Sequence, residues 1–244
     1  MSSKKQTIPQ SFKVTTWEYV KVIGSALAIA FFIRSFIFEP FKIPSGSMVP
    51  TLLIGDYLFV NKFTYGMKIP FTKIFLTDGE PERGDIAVFK RYHEQMGNTN
   101  FIKRIVAVPG DKIAYLNKRI YINDEPADLT GKGELTYTAS NKQDIQANLY
   151  QEDLDGVFHH SLLENTKMGM DLSPIIVPAD KYIFVGDNRD NSLDARFWNY
   201  PNWGFVDKGD IVGRAEVVFW SWNHKFVPRF DRITNSLRAQ HEPL

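Results

Sequence analysis

After Pro40 the chain shows no sustained helical periodicity. It carries short runs of β-branched and aromatic residues broken by turn residues, a pattern that favours antiparallel sheet. "DYLFVNKF" and "GDIAVFKRY" are two such runs. "NFIKRIVAVPGDKIAYLNKRIYINDEP" predicts three short strands, with turns at Pro109-Gly110-Asp111 and Asn117-Lys118. "DKYIFVGDN" and "GDIVGRAEVVFWSW" continue the pattern, and "KIPFTKIFLTDGEPERG" reads as a long hairpin arm. The stretch from Asp128 to Asp171 is polar and less regular, as expected of an insertion between two better-patterned halves. The expected fold is mostly β: an antiparallel β-sheet core, residues 39–115 and 178–230, with an inserted smaller β domain at 116–177 and a C-terminal tail at 231–244.

One segment departs from this pattern. Tyr19–Phe38, "YVKVIGSALAIAFFIRSFIF", is the most apolar part of the chain. A membrane-spanning helix needs about 20 mostly apolar residues. Val22–Ile33 is free of charge, and Phe36, Ile37, Phe38 and Phe41 extend the run past Arg34. Lys21 and Arg34 sit where long cations can snorkel. One N-terminal transmembrane helix at 19–38 is expected; a buried core helix is the alternative. A cleaved leader fits less well, since no small-x-small site closely follows the run. Lys4, Lys5, Lys13 and Lys21 precede the span, whereas Lys42 is the sole Lys or Arg in the ten residues after Arg34. The positive-inside rule leaves residues 1–18 in the cytoplasm and the rest outside.

The chain has 29 Lys+Arg against 28 Asp+Glu and no cysteine. Near-neutral charge gives no broad pull toward nucleic acid. The missing cysteine excludes disulfides, a thiol nucleophile and Cys-based zinc sites.

Gly-x-Ser-x-Gly and His-Glu-x-x-His are both absent, and a Ser-x-x-Lys match at Ser2 and Lys5 lies in a polar tail. All five histidines sit in polar or irregular surroundings, and His159-His160 reads as a surface feature. "PSGSMVPTL" holds Ser45 and Ser47 around Gly46, between Pro44 and Pro50, in what reads as a stiff loop presenting hydroxyls. A buried neutral lysine can activate such a serine. In "FIKRIVAV", Lys103 shares a strand face with Phe101, Ile105 and Ala107, and Arg104 shares the other with Ile102 and Val106. Both faces are apolar, so the pattern leaves open which cation is buried, or whether both lie on an exposed edge strand. Only the lysine could serve as a base, because arginine stays protonated. "GDNRDNSLDARFW" follows the strand "KYIFV" and is rich in turn-forming side chains.

Together "PSGSMVPTL", "FIKRIVAVPGD" and "GDNRDNSLDAR", in that order and just after an apolar run, resemble the signature segments of bacterial type I signal peptidases. "RGDIAVFK" and "GDIVGRA" resemble further family segments. The resemblance implies a membrane-anchored serine endopeptidase that removes signal peptides from exported preproteins, without metal or cofactor. By match, Ser47 is the nucleophile, Lys103 the general base, Ser45 with the Ser47 amide the oxyanion hole, and Ser192 the residue that orients the lysine. Arg104, Asp187, Asp194 and Arg196 match structural residues near the site. Phe41, Ile43, Pro44, Met48, Leu52, Leu58, Val88, Phe101 and Ile102 match substrate-binding positions. Ala195 stands where many relatives carry serine.

The resemblance also implies partners and a place. Signal peptides, membrane lipid and the secretion machinery are the expected partners, and nucleic acid is not. The expected location is the bacterial inner membrane, single-pass, with the catalytic domain on the extracytoplasmic side. Two rival readings are a self-cleaving repressor-type serine/lysine protease and an inactive membrane-anchored binding module of the same fold.

Overall fold

The computed structural model describes residues 16–69, 72–94, 97–164, 167–238 and 240–241. The expectations for Ser2, Lys4, Lys5 and Lys13 lie outside the described residues. Helix α1 spans Thr16–Phe36 and carries the apolar run. Trp17, Val22, Leu27 and Phe31 are all exposed. Glu18, Lys21 and Arg34 interrupt its ends. Among the described residues no helix is long and apolar enough to cross a membrane. The expected span 19–38 is therefore not supported as drawn, and Phe38 already belongs to a strand. Pro40 disfavours helix just before it.

That strand is β1 (Phe38–Lys42), an edge strand paired antiparallel with β2 (Asp56–Asn61). Next come β3 (Ile86–His93), β4 (Gly97–Ala107), β12 (Lys181–Val185), β13 (Val206–Asp207) and β14 (Ile211–Ser221). They complete a seven-stranded sheet in the order β1-β2-β14-β3-β4-β12-β13. β5 (Lys112–Leu116), β6 (Arg119–Ile122), β7 (Glu125–Pro126) and β11 (Leu172–Ile176) form a four-stranded sheet. β8 (Asp128–Thr138), β9 (Asp144–Asp153) and β10 (Phe158–Leu163) form a three-stranded sheet of their own. Among the described residues every pairing between these strands is antiparallel, and an isolated parallel bridge joins Leu162 to Asn188.

The expected turns are present. Asn117 and Lys118 both take positive φ, 50° and 63°, which a two-residue hairpin turn requires. Of the expected long hairpin arm, the described residues show one antiparallel bridge, between Lys68 and Phe75, with the Ile69 N–H on the Ile74 carbonyl and the Leu76 N–H on the Met67 carbonyl.

Alternation along the strands builds the core. Leu58 and Val60 of β2 point inward with Ile86 and Val88 of β3. The loop 43–55 drops Ile43, Met48 and Leu52 into that same cluster. Val49 of this loop faces the other way, onto Tyr137, Ala147 and Leu162 of the three-stranded sheet. The loop is thus held between two sheets. Residues 229–238 run back along the body: Arg229 and Arg232 bond buried Asp56, and Leu237 enters the Met48 cluster; beyond them Gln240 bridges Phe158.

Candidate active site

Ser47 lies on the loop 43–55 and Lys103 on β4, 56 residues apart in sequence. Lys103 Nζ donates to Ser47 Oγ at 2.6 Å and to the Ile102 carbonyl at 3.0 Å. The lysine is 4% exposed. Both cations that the pattern left open are buried, and their partners distinguish them. Arg104 is neutralised by Asp187, with Nε and Nη2 on the two carboxylate oxygens at 2.8 and 2.6 Å. Among the described residues Lys103 makes no ion pair. Burial lowers the Lys103 ammonium from an ordinary 10.5 to about 8; Asp194 and Asp187 pull it back up, and Arg196 pushes it down. A neutral lysine beside a serine hydroxyl can take its proton.

The segment Gly186–Arg196 closes over this pair. Asn188 donates its backbone N–H to the Ser47 carbonyl at 3.1 Å and its side-chain Nδ2 to the Gly46 carbonyl at 3.0 Å. Gly186 must be glycine, since a Cβ there would sit 2.2 Å from Ser192 Oγ and 2.5 Å from the Ser47 carbonyl. Ser192 is buried beside Gly186. Among the described residues its hydroxyl completes no hydrogen bond, yet it lies near enough to Asp194 to help hold that carboxyl down. Burial pushes the Asp194 carboxyl up, but the Arg196 guanidinium outweighs it and keeps it below the usual carboxylate range. Arg196 spans the segment, donating to Asp194 at 2.9 and 2.8 Å, to Tyr115 Oη at 3.0 Å and to the Arg189 carbonyl at 2.7 Å. Ala195 is fully buried among apolar neighbours, so no serine hydroxyl is left wanting a partner there.

Ser45 Oγ lies 3.4 Å from Ser47 Oγ. Of the other matched positions, Ile43, Met48, Leu52, Leu58 and Val88 form one buried cluster, with Phe41 and Ile102 packed on it. Pro44 is exposed at the loop entrance. Phe101 is not part of that wall. It stacks on Phe89 and meets Trp198 in a separate cluster, because alternation turns it away from Ile102.

Sequence reasoning missed Asn188, Gly186 and Thr51, whose hydroxyl donates to Asp187. The first two sit inside the quoted segment, where an amide and a glycine beside a tight loop were the available signal. The expectation for His159 is corrected: it is 3% exposed, against Glu152. Its neighbours in sequence are polar, and only the fold encloses it.

Residues 16–220 match the family described as "Signal peptidase, peptidase S26". A signal peptidase I from Pseudomonas fluorescens is 40% identical over 227 residues, covering 88% of this chain and 78% of its own. One from Buchnera aphidicola subsp. Acyrthosiphon pisum is 42% identical over 231 residues, covering 79% and 71%. A crystal structure of a signal peptidase I from Enterococcus faecalis V583 is 22% identical, with a TM-score of 0.34, over 57% of this chain and 98% of that one. The family match and the identities along most of the chain agree with one another, and the chain belongs to the signal peptidase family, peptidase S26.

Proposed function

We propose that Ser47 and Lys103 are the nucleophile and general base of a serine endopeptidase that cleaves signal peptides from exported preproteins. The observation that carries this is the 2.6 Å contact to the serine hydroxyl from a buried lysine that has no ion-pair partner among the described residues. Ser47 Oγ attacks the scissile carbonyl as Lys103 Nζ takes its proton. The lysine then returns the proton to the leaving amine, and water releases the acyl-enzyme. The Ser45 hydroxyl and the Ser47 amide are proposed as oxyanion donors, an effect often worth about 3–4 kcal/mol per donor. Ser192 is proposed to orient the lysine from its buried place beside Gly186. The apolar wall of Phe41, Ile43, Met48, Leu52, Leu58, Val88 and Ile102, with Pro44 at its entrance, is proposed to receive the substrate residues before the cut.

Membrane association is proposed through α1, whose apolar side chains are exposed where a soluble helix would bury a face. In this reading it spans the inner membrane once, with the catalytic body outside. Lipid is then a partner, and the secretion machinery a neighbour that delivers substrate. The proposed division is a tail at 1–18, the anchor at 19–38 except that Phe38 opens β1, a core at 39–115 and 178–230, an insert at 116–177 and an end at 231–244. The sheet β11-β5-β6-β7 crosses the 115/116 boundary and ties the insert to the core. The test is incubation of the detergent-solubilised protein with one preprotein and sequencing of the new N-terminus. An unprocessed preprotein, or a cut elsewhere than the end of its signal peptide, would overturn the reading.

A further inference from the structure

The three-stranded sheet β8–β10 supplies none of the reacting groups above, yet its buried polar residues reach the loop that carries Ser47. Glu152 of β9 is 0% exposed and Arg189, in the turn after β12, 1%. Glu152 Oε1 accepts from Arg189 Nη1 at 2.7 Å, and Oε2 accepts from Nη2. His159 Nε2 of β10 lies 2.9 Å from the same Oε2. Next to Arg189 is Asn188, which holds the carbonyls of Gly46 and Ser47. The sheet also meets this turn directly: the Leu162 N–H donates to the Asp187 carbonyl at 2.8 Å. Beneath the loop, Val49 rests on Tyr137, Ala147 and Leu162.

Stability alone is a weak reason for such a pair. A buried ion pair contributes little over apolar residues of the same size, whereas its fork geometry fixes direction. The charges also balance in a telling way. Three buried guanidinium groups, Arg104, Arg189 and Arg196, face three buried carboxylates, Glu152, Asp187 and Asp194. Each of the three carboxylates thus has a guanidinium partner, and none of them is in an ion pair with Lys103.

We propose that the middle sheet is a platform for the catalytic loop and that Glu152 is its positioning residue. Through Arg189 it fixes Asn188, and through Asn188 it fixes the Gly46 and Ser47 carbonyls, and so the direction of the Ser47 hydroxyl and amide. Glu152 touches no reacting atom. This rests on the Ser47 and Lys103 reading.

The test is steady-state cleavage of one preprotein by the full-length, detergent-solubilised chain, with thermal melting as the check on folding. Folded Glu152→Gln should lose about tenfold to a hundredfold in kcat with little change in KM, since misplacement of a reacting group by an ångström has that effect. Arg189→Gln should lose as much, and the double variant no more than either single one. A wild-type kcat in Glu152→Gln, or losses that multiply in the double variant, would overturn the proposal. Should Glu152→Gln not fold, Tyr137→Phe decides, since it removes only the hydroxyl that accepts from Asn191 at 3.3 Å. A kcat about twofold or more below wild type at unchanged KM supports the platform, and an unchanged kcat overturns it. Ser47→Ala runs beside them. Turnover surviving there overturns the nucleophile assignment and the platform with it. A dead Ser47→Ala beside an unchanged Glu152→Gln overturns the platform alone.

Discussion

Lys103 Nζ stands 2.6 Å from Ser47 Oγ, although the two side chains come from a loop and a strand 56 residues apart. Among the described residues no other charged group bonds either atom, so the lysine's protonation state controls whether it can accept a proton.

Ser47→Ala and Lys103→Met should each fold and lose nearly all turnover, on the order of 10⁴-fold or more in kcat. Methionine keeps the volume of the lysine stem while removing a buried charge, so Lys103→Met should melt no lower than wild type. Cleavage assays paired with melting curves check both. Substantial activity in either variant would remove the dyad.

The pH profile follows from the lysine's lowered pKa. Lys103 acts when neutral, so kcat/KM should climb with pH along a limb centred at about 8 and level off above it. The stability term has the same sign. Between about 8 and the ordinary 10.5 the unfolded chain holds the proton that the folded chain has released, so stability rises with pH across that window. A flat activity profile from about pH 6 to 9 would sink the assignment of a base titrating there.

Gly186→Ala should damage both fold and chemistry. Its Cβ would collide with the Ser47 carbonyl, a backbone atom that cannot swing aside. A loss of about 1–3 kcal/mol in stability is expected, with a fall in kcat larger than the melting shift explains. Unaltered turnover would show that the segment does not press on the nucleophile.

Asp187→Ala should cost about 3–5 kcal/mol, because it leaves Arg104 buried without its partner. The acid limb of stability carries the same information. Burial raises the Asp187 carboxyl and Arg104 outweighs it, so its net pKa is lowered, as is that of Asp194 beside Arg196. The stability these groups add is complete above the ordinary carboxylate pKa of 3.8 and lost as pH falls through their lowered values. Melting curves from neutral to strongly acidic pH check this, and Asp187→Ala should flatten that limb.

Substrate choice should follow the apolar wall on β1, the loop 43–55, β2 and β3. An extended substrate strand alternates its side chains, so positions −1 and −3 face the wall while −2 points away. Alanine, glycine or serine should be favoured at −1 and −3, and a charge there should cost several kcal/mol. A series varying −3, −2 and −1 singly checks it. Efficient cutting with leucine or lysine at −1, or strong selection at −2 alone, would contradict this wall.

The sequence by itself determined the β architecture, because period-two runs and turn residues such as Asn117-Lys118 express local backbone preferences that the fold keeps. It also offered Ser45, Ser47 and Lys103 as candidates, since a proline-bounded loop and a lysine in an apolar run are local signals, and the family resemblance singled out Ser47. Only the tertiary structure decided that both cations are buried and that, among the described residues, Lys103 has no ion-pair partner. Lys103 and Arg104 look alike along the strand, and Asp187, 83 residues after Arg104, neutralises one and not the other. Strand alternation already set Phe101 apart from Ile102, but only the fold put the wall on the Ile102 side, and only the fold enclosed His159 and Glu152. Burial and ion pairing are properties of distant segments brought together, and a polar residue in a polar stretch of sequence gives no sign of them.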